Sequence, residues 1–332
     1  MENNLSAPHA PKLRLAQQTR AFVQRSPAAM AVILSVALYA FTVIMVPTAL
    51  NMNAVSSIIM LTLLLSFASA GQTLVLIGGG MDFTVGAVMS SAAIMTTAIT
   101  YGQDGHLLPL FGAVMVMSLA VGLLNGLCTV KMGLPPLIIT MAISNVVSRL
   151  QYVFTGGSPV GFAPPAFVST VISKLFGFLP SLVLYALLIF PLMFYILNRS
   201  RLGRQVYLVG NNPVAARLNG INVNRVIVLT YVISALFSGF AGMLGAAYMK
   251  TAKCQMFDTY AYHSLIAVIV GGTALTGGVG TYGGSIAGSL LMVVLNNTLT
   301  ALNLSQPVRN VSLGTVMVLL LVLYNRGKSV RQ

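Results

Sequence analysis

The sequence predicts an all-α polytopic membrane protein, and three observations carry that class. Of its 332 residues 57% are hydrophobic and only 7% are charged, where a soluble chain is about a quarter charged. The mean hydropathy is +0.89. Apolar runs repeatedly reach the ~20 residues that an α-helix needs to cross a bilayer, and the period-2 alternation of a membrane β-barrel is absent.

About ten spans follow from those runs. The first, Ala28 to Val46, stops at Pro47, and a polar, basic stretch over 1–27 precedes it. Lys12, Arg14, Arg20 and Arg25 before a full-length apolar run suit a retained anchor better than a cleaved signal. The second span covers Val55 to Ile77 and ends in Gly78, Gly79 and Gly80; the third starts after Asp82, a potential cap, and reaches Tyr101. Leu107 to Val130 forms the fourth, and Pro135 and Pro136 open a fifth that reaches Phe154. A loop with Gly156, Gly157, Pro159, Pro164 and Pro165 is too broken to cross lipid. The sixth runs from Ser181 to Leu197 and the seventh from Val226 to Met249. The eighth begins beyond Asp258 and dissolves into GGTALTGGVGTYGG, the ninth covers Ser285 to Leu302, and the tenth Val308 to Tyr324. The expected organisation is a tail at 1–27, a membrane domain at 28–326 interrupted by a polar segment at 199–225, and a tail at 327–332.

Charge placement orients these spans. With both termini in the cytoplasm, thirteen of the eighteen Lys and Arg residues lie inside and four, Lys174, Lys250, Lys253 and Arg309, lie outside, as the positive-inside bias requires. That bias also accounts for the net charge of +14 without nucleic acid. Lys250 and Lys253 fit worst.

The polar segment 199–225 holds Arg199, Arg201, Arg204, Arg217 and Arg225, and within it lies a short helix with marked ends. Asn212 suits the N-cap and Pro213 the first helical position, and Gly220 suits the left-handed residue that closes a helix, with Ile221 after it. Val214 and Leu218, four apart, share one face. So short a helix has too little core to stand alone, which points to docking on a partner.

Two glycine-rich stretches need a physical reading. Gly278, Gly280 and Gly283 match GxGxxG, but no acidic residue follows Asp258 and the flanks are membrane spans, so no dinucleotide fold is expected. There is no P-loop string either. Irregular backbone at membrane depth survives only when buried in protein or lining water, so GGGMDFTVG at 78–86 and the stretch Gly271–Gly284 read as broken helices. Gly284 and Gly288 form a GxxxG pair suited to helix contact. The stretches from Met81 and from Phe257 each place an Asp before an apolar helix, on opposite sides, as an inverted repeat would.

Gln72, Asn125, Asn145, Arg149, His263, Asn296 and Asn297 sit in or near apolar runs. A charge at mid-bilayer costs roughly 2.5–3.5 kcal/mol on insertion scales, so Arg149 should face protein or water, with a hydrogen bond to neighbouring carbonyls as its plainest role. His263 reads as an interior residue before a proton relay, and the asparagines suit interhelical bonds as well as sugar hydroxyls. HExxH, GxSxG and carboxylate pairs are missing, and two cysteines and four acidic residues exclude a disulfide framework and most metalloenzymes.

Several motifs converge on one resemblance. GGGMDFTVGAVMS resembles the GGIDLSVG-type signature of bacterial ABC sugar-importer permeases of the ribose, xylose and galactofuranose type. LGRQVYLVGNNPVAARLNGI is similar to that family's cytoplasmic segment, and IAVIVGGTALTGGVGTYGGSIAG to its C-terminal glycine motif; the three occur in the family's order across 28–326. Gly80-Met81 stands where Gly-Ile is common and Phe83-Thr84 where Leu-Ser is usual. The resemblance implies an inner-membrane permease subunit with a vitamin-B12-importer-like (type II) fold, paired with a second copy or paralogue. It implies separate ATP-binding subunits that carry ATP and Mg, a periplasmic substrate-binding protein and a sugar or sugar-like substrate, with no cofactor bound by this chain and no enzyme activity of its own. The ATPase-coupling positions are then Gly203, Gly210, Asn212, Pro213, Ala215, Ala216, Arg217 and Gly220. Candidates for the translocation path or its gates are Gln72, Gly79, Asp82, Asn145, Arg149, His263, Gly271, Gly272, Gly277, Gly278 and Asn296. The rival is an ion-driven secondary carrier, for which Asp82 is the one plausible carboxylate; a non-transporting scaffold is the third reading.

Overall fold

The computed structural model describes residues 27–312, 314 and 315. The described residues are mostly helical. α1 spans Pro27–Met45, α2 Met52–Ile77, α3 Val85–Thr100, α4 Leu107–Met132 and α5 Pro136–Thr155. The Pro/Gly-rich loop then holds a short α6, Pro165–Ile172, and a two-residue hairpin, β1 Lys174–Leu175 and β2 Leu179–Pro180. α7 covers Leu182–Asn198, α8 Arg201–Asn211, α9 Pro213–Leu218, α10 Val223–Met249, α11 Tyr260–Val270 and α12 Tyr282–Ala301.

Among the described residues six helices are long and apolar enough to cross a bilayer, or seven if α7 and α8, bent by 59°, count as one broken span. Three of the ten expected spans are not among these. The eighth is a half-length helix, α11, of 11 residues; α3 has only 16; and the tenth lies largely outside the described residues, as do the tails at 1–26 and 327–332. Polar residues 199–225 contain a second helix, α8, that the sequence reading did not separate. Arg201 and Arg204 mask its apolar face, on which Val206 and Val209 are buried.

The exterior and interior follow lipid rules. Val36, Val116, Leu187 and Leu188 protrude, while Ser66, Ser69, Thr73, Ser285 and Ser289 are buried between helices. Lipid is as apolar as leucine, so helices associate through close packing and interhelical hydrogen bonds. Thr73 and Ser285 hydroxyls lie 2.7 Å apart and Thr42 and Thr298 2.6 Å apart, joining α2 to α12 and α1 to α12. α12 packs antiparallel on α11 at a seam without side chains. A Cβ on Gly284 would collide with the Gly271 carbonyl and one on Gly288 with that of Ala267. The GxxxG pair is therefore a packing device.

The bundle has two distinct ends. The C-terminus of α2, α8, α9 and the loop 271–281 gather at one; the hairpin, α6 and the α10–α11 linker lie at or toward the other, where Ala163 N–H donates to the Lys250 carbonyl and Lys174 Nζ to Asn53 Oδ1. The order long helix, nonhelical linker, short apolar helix occurs twice, as α2, 78–84, α3 and as α10, 250–259, α11. The linkers bring the two short helices together at their N-termini. Gly86, the second residue of α3, faces the Asp258 backbone so closely that a Cβ would stand 2.7 Å from its carbonyl oxygen.

Candidate functional site: a capped helix, a glycine junction and a polar cleft

The capped helix forms as its residues dictate. Asn212 Oδ1 accepts from the Val214 and Ala215 N–H groups, each at 3.0 Å. Gly220 takes φ +75° and Ile221 N–H closes the end on the Ala216 carbonyl at 3.1 Å, the 6→1 bond of a Schellman-type stop. Ala216 is buried against the bundle, with Ile221 packed on the same apolar cluster. Val214 is 67% and Leu218 85% exposed on the outward face, beside exposed Asn212, Pro213, Ala215, Arg217 and Gly220. The helix thus presents an exposed apolar pair beside Arg217.

Gly203 and Gly210 lie on the buried side of α8 and weld this unit to the bundle. Gly210 packs on the Ile77 carbonyl, where any Cβ would collide, and Gly278 N–H donates to that same carbonyl at 2.8 Å. Gly277 (φ +81°) and Gly278 (φ +73°) hold left-handed backbone there, and Gly277 abuts Gly79. Both glycine stretches that the sequence singled out thus meet at one junction, directly under α8. Tyr207, which the sequence reading passed over, ties it further by donating its hydroxyl to the Gly280 carbonyl at 2.7 Å.

Asp82 is fully buried. It is not the cap of α3; Thr84 stands at that position without a side-chain cap bond. Asp82 Oδ1 instead accepts from the Thr84 N–H at 2.9 Å and its hydroxyl at 2.5 Å, and Asn125 of α4 donates to that hydroxyl at 2.7 Å. Tyr231 of α10 donates to the Met81 carbonyl at 3.3 Å. These bonds pin the irregular linker 78–84 inside the protein, as backbone at membrane depth requires.

The remaining path candidates separate. Gln72 is fully buried in α2 and Asn296 half-buried in α12, and neither lines the polar cleft. Gly271 lies in the α11–α12 seam and Gly272, with φ +96°, begins the turn after it. His263 is half-buried with its ring 6.2 Å from that of Tyr260. Asn145 and Arg149 come together on an exposed polar stripe of α5. Arg149 does not bond a carbonyl as expected: it lies over the Tyr152 ring at 5.9 Å and close enough to Asp258 for its charge to act there. Ser144, Asn145 and Ser148 of α5, Asp258 and Tyr262 at the start of α11, and Phe83 before α3 line a cleft of about 140 Å³. Asp258, Tyr262 and Phe83 reach it only through the tertiary fold. A helical repeat at 141, 144, 145 and 148 was the one available signal for the rest.

Comparison with known proteins gives the architecture its relatives. Residues 54–322 match the family described as branched-chain amino acid transport system / permease component. The chain belongs to that family. It is 29% identical over 292 residues to the ribose import permease protein RbsC of Escherichia coli, covering 85% of this chain and 88% of that one. It is 30% identical over 305 residues to RbsC of Bacillus subtilis, covering 87% and 91%, and 29% identical over 296 residues to the fructose import permease protein FrcC of Rhizobium meliloti, covering 85% and 81%. No solved structure matches it. The permease is a multi-pass membrane protein and the membrane component of an ABC importer, which sets aside a self-sufficient secondary carrier.

Proposed function

We propose that this permease moves a sugar or sugar-like molecule from periplasm to cytoplasm through an ATP-driven importer. α9 docks on separate ATP-binding subunits, which hold ATP and Mg, and a periplasmic binding protein delivers substrate to the opposite end. α9 and both termini face the cytoplasm, and two permeases, identical or paralogous, enclose the path in a type II arrangement of the vitamin-B12-importer kind. The supporting observation is the outward apolar pair Val214 and Leu218 on α9, joined directly to α8, which is itself welded through Gly210 to the junction of Ile77, Gly79 and Gly278. Force applied to α9 passes into α2 and the α11–α12 hairpin without an intervening flexible loop, as rigid-body alternation of access requires. Sugar import permeases among the relatives support the substrate class.

Proteoliposomes holding the permease, its ATP-binding subunits and its binding protein test this reading. Uptake should require enclosed ATP and survive collapse of the proton gradient. Uptake that follows the gradient at constant ATP would restore the secondary carrier, and no flux with any partner would leave only a scaffold.

A further inference from the structure

The cleft between α5 and the start of α11 has a composition that packing does not explain. Phe257 N–H donates to Ser90 Oγ at 2.9 Å, which fixes its neighbour Asp258 beside the middle of α3. Ser90 lies ten residues before Thr100, the end of α3 remote from α9, so Asp258 sits roughly 15 Å below that end at the α-helical rise. That is about half the thickness of a bilayer's hydrocarbon core. A carboxylate at this depth faces protein or water, not lipid. Asp258 is partly exposed and lines the cleft.

Its chemistry is selective. Asp258 Oδ1 accepts from Ser90 Oγ at a long 3.4 Å, and Ser148, Gln255 and the Arg149 charge also act on the carboxylate. Asn145 donates one amide N–H to the Met141 carbonyl at 2.9 Å, within its own helix, and its side chain lines the cleft. The acceptor-only carboxylate, the amide oxygen and the Ser144 and Ser148 hydroxyls match groups that donate and accept at once, which is what sugar hydroxyls do. Phe83 and Tyr262, edge to face at 5.4 Å, supply the apolar wall that small-ligand sites need beside a few fixed polar groups. At about 140 Å³ the cleft is smaller than the ~300 Å³ lower bound of drug-sized pockets, which suits one sugar ring rather than an oligosaccharide.

We propose that this cleft is a transient monosaccharide site within the translocation path, with Asp258, Asn145 and Ser148 bonding hydroxyls and Tyr262 carrying a ring face. The site deepens the sugar-permease reading and rests on it. It binds weakly by design, because a path must release what it admits. The two nonhelical linkers, 78–84 and 250–259, supply Phe83 and Asp258, so any motion that separates α3 from α11 opens the cleft. Substrate release is thereby tied to the element that meets the α9 junction.

Two measurements on the assembled importer test the proposal. In nanodiscs, with Cys128 and Cys254 replaced by serine, Asn145→Cys and Tyr262→Cys should react with a hydrophilic maleimide faster than Leu188→Cys, a 70%-exposed residue on the apolar outside of α7. High millimolar D-ribose, D-galactose or D-fructose should slow the two cleft cysteines and L-leucine should not. Labelling no faster than at Leu188, or protection by leucine alone, overturns the proposal. In proteoliposomes, Asp258→Asn and Asn145→Ala should each lower uptake of the transported sugar roughly tenfold, the effect of losing one hydrogen bond to the substrate, while binding-protein-stimulated ATP hydrolysis persists. Wild-type uptake in both variants removes the site and leaves the permease reading standing. A wild-type importer that shows no ATP-dependent uptake of any sugar or sugar-like molecule removes both.

Discussion

Gly220 holds φ at +75° with open space around its Cα, so a side chain there meets no clash and changes only the backbone preference. A β-branched residue pays roughly 1–2 kcal/mol in the left-handed region, enough to fray a helix of six residues. Gly220→Val is expected to insert normally while losing most ATP-dependent uptake, measured as transport per membrane-inserted permease; full transport would show that the cap is dispensable. Gly288→Val acts differently because its Cβ meets the Ala267 backbone. Overpacking of this kind typically costs ~1–3 kcal/mol, and the expected result is a lower yield of folded protein and a lower midpoint in thermal unfolding, not selective uncoupling. The caps at Asn212 and Gly220 were legible in the sequence because capping is decided within a few residues. Asp258 and Tyr207 were not, because what each touches, Ser90 and Gly280, lies far away along the chain.

At the scale of elements, α9 presents an exposed apolar pair. Turning the exposed pair to charge, Val214→Asp with Leu218→Asp, leaves the buried Ala216 side intact. The double variant should fold and still bind lipid, yet lose co-purification of the ATP-binding subunits; retained co-purification would place docking elsewhere. Spans with full apolar runs were readable almost to the residue, as α2 and α4 illustrate, since a bilayer sets their length. The half-length α11 and the amphipathic α8 were harder. Neither has a membrane's length to enforce its boundaries, and the Arg residues of α8 disguised a face that is buried only by tertiary packing against α2 and α7.

At the scale of the whole molecule the charge distribution distinguishes the two ends. Lys131 and the five arginines between Arg199 and Arg225 belong to the α9 end, and Lys174, Lys250, Lys253 and Arg309 to the opposite one among the described residues. The expected sidedness is therefore measurable at two exposed positions. Phe176→Cys on the hairpin, 91% exposed in the parent residue, should be labelled by an impermeant thiol reagent in sealed cells, and Val214→Cys only after the membrane is opened. The reverse pattern would invert the molecule and place α9 beyond the reach of any cytoplasmic ATPase. The broad architecture was legible because composition alone forces a helical bundle in lipid. How the two glycine stretches meet was not, since nothing local in either one names the other.

The docking role of α9 can be tested most directly by a photo-reactive phenylalanine analogue at Leu218 in the intact, transporting importer. Irradiation should join the permease to an ATP-binding subunit, with the yield changing between the nucleotide-free and ATP-bound states. An importer that still transports but forms no such adduct in either state would contradict the account.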